Sequence, residues 1–363
     1  MMIGVTQILS KKKTTLIDVV KKVAPGTLIR DALEQIISAK TGALIVVGDV
    51  EAVEKICDGG FKLDIEFHPQ KLFELAKMDG AIVLDHEFKK ILGANIQLAP
   101  DPSIATNETG MRHRAAERVA KQTDALVISI SQRRDIISLY WNNYKYVLED
   151  IRALLTKANQ ALQTLEKYKI RLDQVSSNLN SIEFQDFTML LDVTTIIQRF
   201  EMVKRISKEV ERYISELGSE GRLIKMQLDE LMVRVEENNM MILKDYCKDS
   251  RRAEKTAKEL SILSPDDLLD STNICRLLGY EGDTVNILDT LVHPRGYRLL
   301  RQIPRLPPAI VNKIIKKFGD LQTILEASIE DLDEVEGVGE VRAKTILNGL
   351  KKLQEQSVLE RYF

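Results

Sequence analysis

Between Asn142 and Leu260 the chain carries no proline and only two glycines, Gly218 and Gly221. Strands and tight turns cannot fill such a stretch, because turns draw on glycine and proline for backbone angles that other residues resist. Within it Leu154, Leu155, Ala158, Ala161, Leu162, Leu165, Tyr168 and Leu172 recur at three and four residues, which predicts a long amphipathic helix with its stripe against a core or another helix. Breaks are expected at SSNLNS, from Ser176 to Ser181, and at ELGSEG. The result is a helical spine, assigned to residues 146–286.

The flanks read differently. Up to about Tyr140, short apolar runs alternate with helical ones. TGALIVVGD is a near-continuous apolar run bounded by glycines, the pattern of a central strand covered on both faces. FKLDIEF alternates as a half-buried strand does, and PQKLFELAKM opens with a first-turn proline and spaces Leu72, Phe73, Leu75 and Ala76 helically. GAIVLD, KKILGANIQL, a helix from Gly110 to Thr123, ALVISIS and DIISLYW follow. A mixed-sheet α/β domain over residues 1–145 is the economical reading. From Ser261 prolines return, and short helices are expected between PDD, HPRGY, IPRLPP and EGVGE. Residues 287–363 make the third block. The fold class is thus multidomain: an α/β domain, a helical spine and a small all-α domain.

Composition narrows the function classes. The longest aliphatic run, Ala43 to Val47, is far short of the about 20 residues a membrane span needs. The lysines near the start follow apolar pieces instead of preceding them, unlike a secretory signal. Cys57, Cys247 and Cys275 are odd in number and far apart, so a disulfide framework or a CxxC zinc site is not expected. The four histidines show no HxxxH spacing, so any metal should be oxygen-bound. A cytoplasmic protein fits. The net charge of −2 leaves no block strongly basic, so nucleic-acid binding would depend on local geometry. No GxxxxGK[ST] loop supports an ordinary ATPase.

GMRHRAAERVAKQTDALVISIS is the most informative segment. Arg112, His113 and Arg114 fall in the first turn of the expected helix, where the dipole disfavours cations by about 0.3–1 kcal/mol each. An anion there would reverse that, since free N–H groups and guanidinium forks converge on phosphate. The alternative is a solvated turn neutralised by Glu108 and Glu117. Asp79-Gly80 is either a helix stop or a carboxylate able to hold magnesium or manganese. Ser129 and Ser131 place hydroxyls on one face of a strand end, which alone means little.

Taken together, DGA, then RHR, then SxS, in the segments KMDGAIVLD and ETGMRHRAAERVAKQTDALVISIS, resemble the diadenylate cyclase family. The three-block order resembles its DNA-scanning branch, and the likeness runs over essentially the whole chain. The resemblance implies condensation of two ATP into cyclic di-AMP and two pyrophosphates between facing domains, with Mg²⁺ or Mn²⁺, in an octameric assembly. It implies Asp79 as the metal-binding carboxylate and Gly80 as a backbone contact to the nucleotide. Arg112, His113 and Arg114, with Met111 and Ala115, would grip phosphate, Leu98 would meet the adenine, and Ser131 would stand on the phosphate side. Met111 departs from relatives that carry threonine there. A non-enzymatic DNA-junction scaffold with an ATP-sensing pocket is the alternative.

VEGVGEVRAKTI fits a helix-hairpin-helix through Val335, Gly337, Val338, Gly339, Ala343 and Ile346. Its turn N–H groups can meet DNA phosphate without reading sequence, and Arg342 and Lys344 would add charge. Glu334, Glu336 and Glu340 carry the wrong sign. IPRLPPAIVNKIIKKF resembles a degenerate first hairpin with Arg305 and Pro307 in place of glycines. Branched DNA is the expected partner, and a compact αα-hairpin without DNA the plainer alternative.

Overall fold

The computed structural model describes residues 15–48, 50–282 and 287–360. The segment bearing on export and part of the 286/287 junction lie outside the described residues. By contacts the chain forms two compact units, residues 1–159 with 211–225 and residues 160–210 with 226–363. Among the described residues no helix is long and apolar enough to cross a membrane.

The first unit is built from α1 (Leu16–Lys22), α2 (Leu28–Ser38), β1 (Ala43–Val47), α3 (Val50–Glu54), β2 (Cys57–Asp58), β3 (Phe61–Glu66), α4 (Pro69–Leu75), β4 (Ala81–Leu84), β5 (Lys90–Leu98), α5 (Met111–Thr123), β6 (Leu126–Ser131), β7 (Ile136–Trp141) and β8 (Tyr144–Leu148). One sheet runs β2-β5-β4-β1-β6-β7-β8, with β3 also paired to β5. β1 and β4 are parallel and the remaining pairs antiparallel, so the sheet is mixed. Every residue of β1 is buried, which its unbroken aliphatic run requires of a strand covered twice. Ile45, Ile82 and Ile128 pack on Leu33 and Ile36 of α2 and Leu72 of α4. Leu44, Val46 and Val127 pack on Ala116, Val119 and Ala120 of α5. The helical block starts later than Asn142: Tyr144–Leu148 pairs with β7 as a hairpin strand. The missing proline and glycine hid a strand whose turn is supplied by Asn142 at φ 53°.

The helices that follow are α6 (Ile151–Phe184), α7 (Leu190–Leu217), α8 (Arg222–Leu231), α9 (Val235–Tyr246), α10 (Ala253–Ile262), α11 (Pro265–Leu269), α12 (Ser271–Leu278), α13 (Tyr297–Gln302), α14 (Pro308–Phe318), α15 (Leu321–Glu326), α16 (Ile329–Asp333) and α17 (Glu340–Glu360). α6 does not break at SSNLNS. Ser176 donates to the Leu172 carbonyl one turn earlier at 2.8 Å, a bond compatible with a continuous helix, and Ser181 donates away from α6 to the Ser357 carbonyl at 2.9 Å. The break at Gly218–Gly221 is there, as a 3₁₀ turn.

A buried polar cluster joins α6, α9 and α13 in the second unit. Asp245 accepts from the backbone N–H of Gly296, Tyr297 and Arg298 at 2.8, 2.7 and 3.0 Å, capping α13 from across the core. Arg298 donates to Asn180 and Glu183, and Tyr246 donates to Glu183 at 2.6 Å. Arg295 satisfies the carbonyls of Lys244, Asp245 and Lys248 at the end of α9. In the C-terminal part, Val335, Val338, Ala343 and Ile346 are buried with Ile310 and Ile314, so the hairpin pattern is the core of a small helical domain.

Candidate active site

Strand register gathers the expected site residues at one end of the sheet. Parallel pairing of Ile45 with Ile82 sets the starts of β1 and β4 side by side. Antiparallel pairing of Ala43 with Ile130 and of Ala81 with Ile96 brings the ends of β6 and β5 to the same edge. α5 turns into β6 through Asp124 in the left-handed conformation, so its first turn returns over the end of β6. Asp79, Gly80, Leu98, Met111 to Ala115 and Ser131 therefore share one end of the domain.

Gly80 has φ +90°, and a Cβ there would stand 2.8 Å from the Asn95 carbonyl carbon, so only glycine fits between the turn and β5. That fixes the backbone of Asp79, which is exposed and has no ion-pair partner among the described residues. Leu98 is half-buried on the α5 side, beside the same apolar cluster as Ala115. Ser131 is half-buried, and on its face Ser129 is fully buried with its hydroxyl unpartnered.

At α5, Gly110 gives no side-chain cap and the first turn holds no acid. Met111 is 88% exposed. The guanidinium of Arg112 fills the space beside Gly42, where a Cβ would also lie 3.1 Å from the Ile130 carbonyl oxygen. The two acids that could neutralise this turn are held elsewhere. Glu108 pairs with Lys145 at 2.5 Å. Glu117 pairs with Lys121 at 2.7 Å and accepts from Thr106 at 2.5 Å. Arg112 and Arg114 have no ion pair among the described residues, so the solvated-turn alternative loses its counter-charges.

His113 Nδ1 lies 3.0 Å from the Tyr140 hydroxyl. Burial pushes the Tyr140 hydroxyl well above the usual phenol range, and the nearby Glu108 carboxylate adds to it. Tyr140 thus stays a neutral phenol beside His113 Nδ1. Burial is also the main cause that holds the His113 pKa below 6.5, opposed by Glu108 and assisted by Lys145, Arg112 and Arg134. Gly42, Tyr140 and Lys145 were not singled out from the sequence, and Glu108 was expected only as a counter-charge to the turn. The alternation of DIISLYW put Tyr140 on one face of a strand, but nothing local pointed to a histidine 27 residues earlier.

An oxygen-ligated metal suits the donor present. Magnesium and manganese are held by one or two carboxylates together with substrate phosphates and water, and Asp79 supplies one unengaged carboxylate. Among the described residues no group of three or more His, Cys, Asp or Glu side chains could hold a metal by itself.

At the C-terminal hairpin, Gly337 has φ +90° and the Val338 N–H donates to the Val335 carbonyl at 2.8 Å, closing the turn. Gly339 faces open space at the head of α17. Each acid of the loop is matched: Glu334 with Lys317 and Glu336 with Lys313, both at 2.8 Å, and Glu340 with Lys344 at 2.6 Å. Lys344 is therefore engaged within its own helix, and Arg342 donates to the Gly337 carbonyl.

Comparison with known proteins follows this layout. Residues 30–144 match the family described as DisA bacterial checkpoint controller nucleotide-binding, residues 148–287 the DisA linker region, and residues 297–352 the SAM-like helix-hairpin-helix tandem. The DNA integrity scanning protein DisA of Clostridium botulinum (strain Langeland) is 52% identical over 351 residues, covering 97% of this chain and 99% of that protein. Its counterpart in Clostridium tetani is 52% identical with 97% of each chain covered. That of Carboxydothermus hydrogenoformans is 54% identical over 341 residues, covering 93% of this chain and 96% of the other. With an α/β nucleotide-binding domain, a helical linker and a helix-hairpin-helix tandem in that order, the chain belongs to the DisA family.

Proposed function

We propose that the protein is a diadenylate cyclase that condenses two ATP into cyclic di-AMP and two pyrophosphates, and that DNA at its C-terminal domain governs that output. The observation that carries this reading is the first turn of α5. Three cationic or titratable side chains crowd a helix N-terminus whose neighbouring acids are already paired, and a triphosphate supplies the missing negative charge.

In this reading Arg112, His113 and Arg114 hold the phosphates, with the backbone at Met111 and Ala115 alongside. Gly80 lets the chain approach the nucleotide, Leu98 meets the adenine, and Ser131 donates toward phosphate. Each 3′-oxygen attacks the α-phosphorus of the other ATP. The bond from that phosphorus to the β-bridging oxygen breaks, pyrophosphate leaves, and the 3′-hydroxyl proton passes to solvent. One site holds one ATP, so two domains must face each other, and an octamer of two opposed tetramers meets that need. Mg²⁺ or Mn²⁺ held by Asp79 would ease deprotonation of the hydroxyl and screen the phosphates. The arginines offset the charge that builds on the non-bridging oxygens and the leaving group.

The domains in this account are residues 1–145 for cyclisation, 146–286 as linker and 287–363 for DNA. Gly337, Val338 and Gly339 offer backbone N–H groups to phosphate, Arg342 and Lys344 border them, and the partner is branched DNA in a cytoplasmic, nucleoid-associated setting. Incubation with ATP and Mg²⁺ or Mn²⁺, followed by chromatography, should yield cyclic di-AMP. ATP bound but unchanged would favour the DNA-junction scaffold with an ATP-sensing pocket, and ADP would overturn both.

A further inference from the structure

The cations expected to serve the DNA hairpin are spoken for: Lys344 by Glu340 and Arg342 by the Gly337 carbonyl. Unpaired positive charge in the same unit lies next to it. Arg305, in the turn before α14, and Arg234, in the turn before α9, are both exposed, and their guanidinium groups have no hydrogen bond or ion pair among the described residues. Both hold left-handed backbone, at φ 63° and 58°. That conformation suits glycine and strains an arginine. Asp and Asn occupy most of the other non-glycine positions of this kind, and the remaining cation, Lys40, is paired with Asp135. Nothing in the folding of these two turns calls for arginine.

The two side chains line one cavity of about 510 Å³ between the α8–α9 turn and the first hairpin. Its single carboxylate, Glu237, is paired with Arg301, which lines it too. Residues Ile303 to Leu306 are shared with a second cavity of about 460 Å³ that reaches Gly339 and Arg342 and contains no acid. Arg305 thus stands between the Gly-Val-Gly hairpin and Arg234 of the linker region.

We infer that these joined cavities form a second phosphate track, in which Arg305 and Arg234 carry the DNA backbone from the hairpin onto the linker. The inference rests on the proposed DNA partner and adds a linker residue to the interface. Guanidinium groups in a groove whose single carboxylate is already paired fit a phosphodiester chain, which takes two forked contacts without base recognition. A strand leaving the hairpin toward α9 would reach the region through which DNA could be felt by the rest of the chain.

The test uses the full-length protein and a fluorescein-labelled four-way DNA junction, titrated at several salt concentrations. Arg234→Gly with Arg305→Gly should leave the melting temperature unchanged or raised, because glycine relieves both turns. Affinity at low salt should fall about tenfold, and the slope of log affinity against log salt should shrink by ~1.8, or ~0.9 per lost phosphate contact. Arg171→Ala on α6, outside either cavity, should leave that slope alone. An unchanged slope and affinity in the double glycine variant, with Arg342→Ala weakening binding, would overturn the track while leaving the hairpin. Poly-glutamate competing as well as unlabelled duplex would overturn the assignment to nucleic acid. A wild-type protein that ignores the junction at low salt would remove the DNA reading itself.

Discussion

Arg112 lies across Gly42: its guanidinium occupies the volume a side chain on that glycine would need. The contact ties the first turn of α5 to the start of β1, two elements about 70 residues apart. The glycine is required by the arginine and not by its own backbone, whose φ lies outside the left-handed region.

Gly42→Ala should therefore displace the Arg112 head group and leave the sheet intact. The expected result is a fall in cyclic di-AMP formation of about tenfold or more, with stability within ~1 kcal/mol of wild type, because the main displacement falls on the end of a flexible side chain and the Ile130 carbonyl, 3.1 Å from the new Cβ, need give only slightly. Parallel turnover and thermal-melt measurements check it.

The neighbouring turn separates chemistry from folding. Asp79→Asn should keep the melting temperature and abolish synthesis, since the exposed carboxylate makes no contact within the described fold. Gly80→Ala should do the reverse of sparing stability: its Cβ would meet the backbone of Asn95 and Ile96 at 2.8 to 3.0 Å in a left-handed turn. A loss of ~2 kcal/mol or more by denaturant titration is expected.

Much of this site was readable from the chain because its signals are local. The aliphatic run of β1, the proline opening α4 and the cations crowding α5 each follow from a few adjacent residues. What was not readable depends on register. Tyr140 reaches His113 only because β7 pairs with β6 in one alignment, and Gly42 reaches Arg112 only through Ala43 opposite Ile130. Asp245 was invisible as a cap for α13, since its partners lie 51 to 53 residues later. The false break in α6 has a similar origin: serines that usually favour turns found partners inside the helix and on α17.

In the proposed site, His113 should make ATP binding pH-dependent. Its pKa is depressed below 6.5 in the free protein, and a phosphate alongside favours the imidazolium and raises it. The nucleotide complex then binds more protons than the free protein, so affinity should increase as pH falls through the interval between the two values. NMR titration of the His113 ring with and without a non-reactive ATP analogue should show the upward shift, and His113→Gln should remove this component of the affinity profile.

Asp245 predicts a pH dependence of the same direction for stability. Burial first, then the nearby Glu183, raises its pKa from 3.8 to about 7. A folded-state value above the unfolded one gives stability that is complete below pH 3.8, erodes as pH climbs and is gone above about 7. Lowering the pH from 7 to 6 should thus stabilise the second unit by about 1 kcal/mol. Asp245→Asn should flatten that dependence and cost about 1–3 kcal/mol at pH 6, because one oxygen acceptor for the α13 N–H groups is lost. Thermal melts across this range, followed on both proteins, decide it.

The most direct measurement is a crystal of the protein soaked with a non-reactive ATP analogue and Mn²⁺. The account predicts phosphates seated on the first turn of α5 within reach of Arg112, His113 and Arg114, and an anomalous manganese signal beside Asp79. Nucleotide bound elsewhere, with that helix end bare and the Asp79 carboxylate unligated, would contradict it.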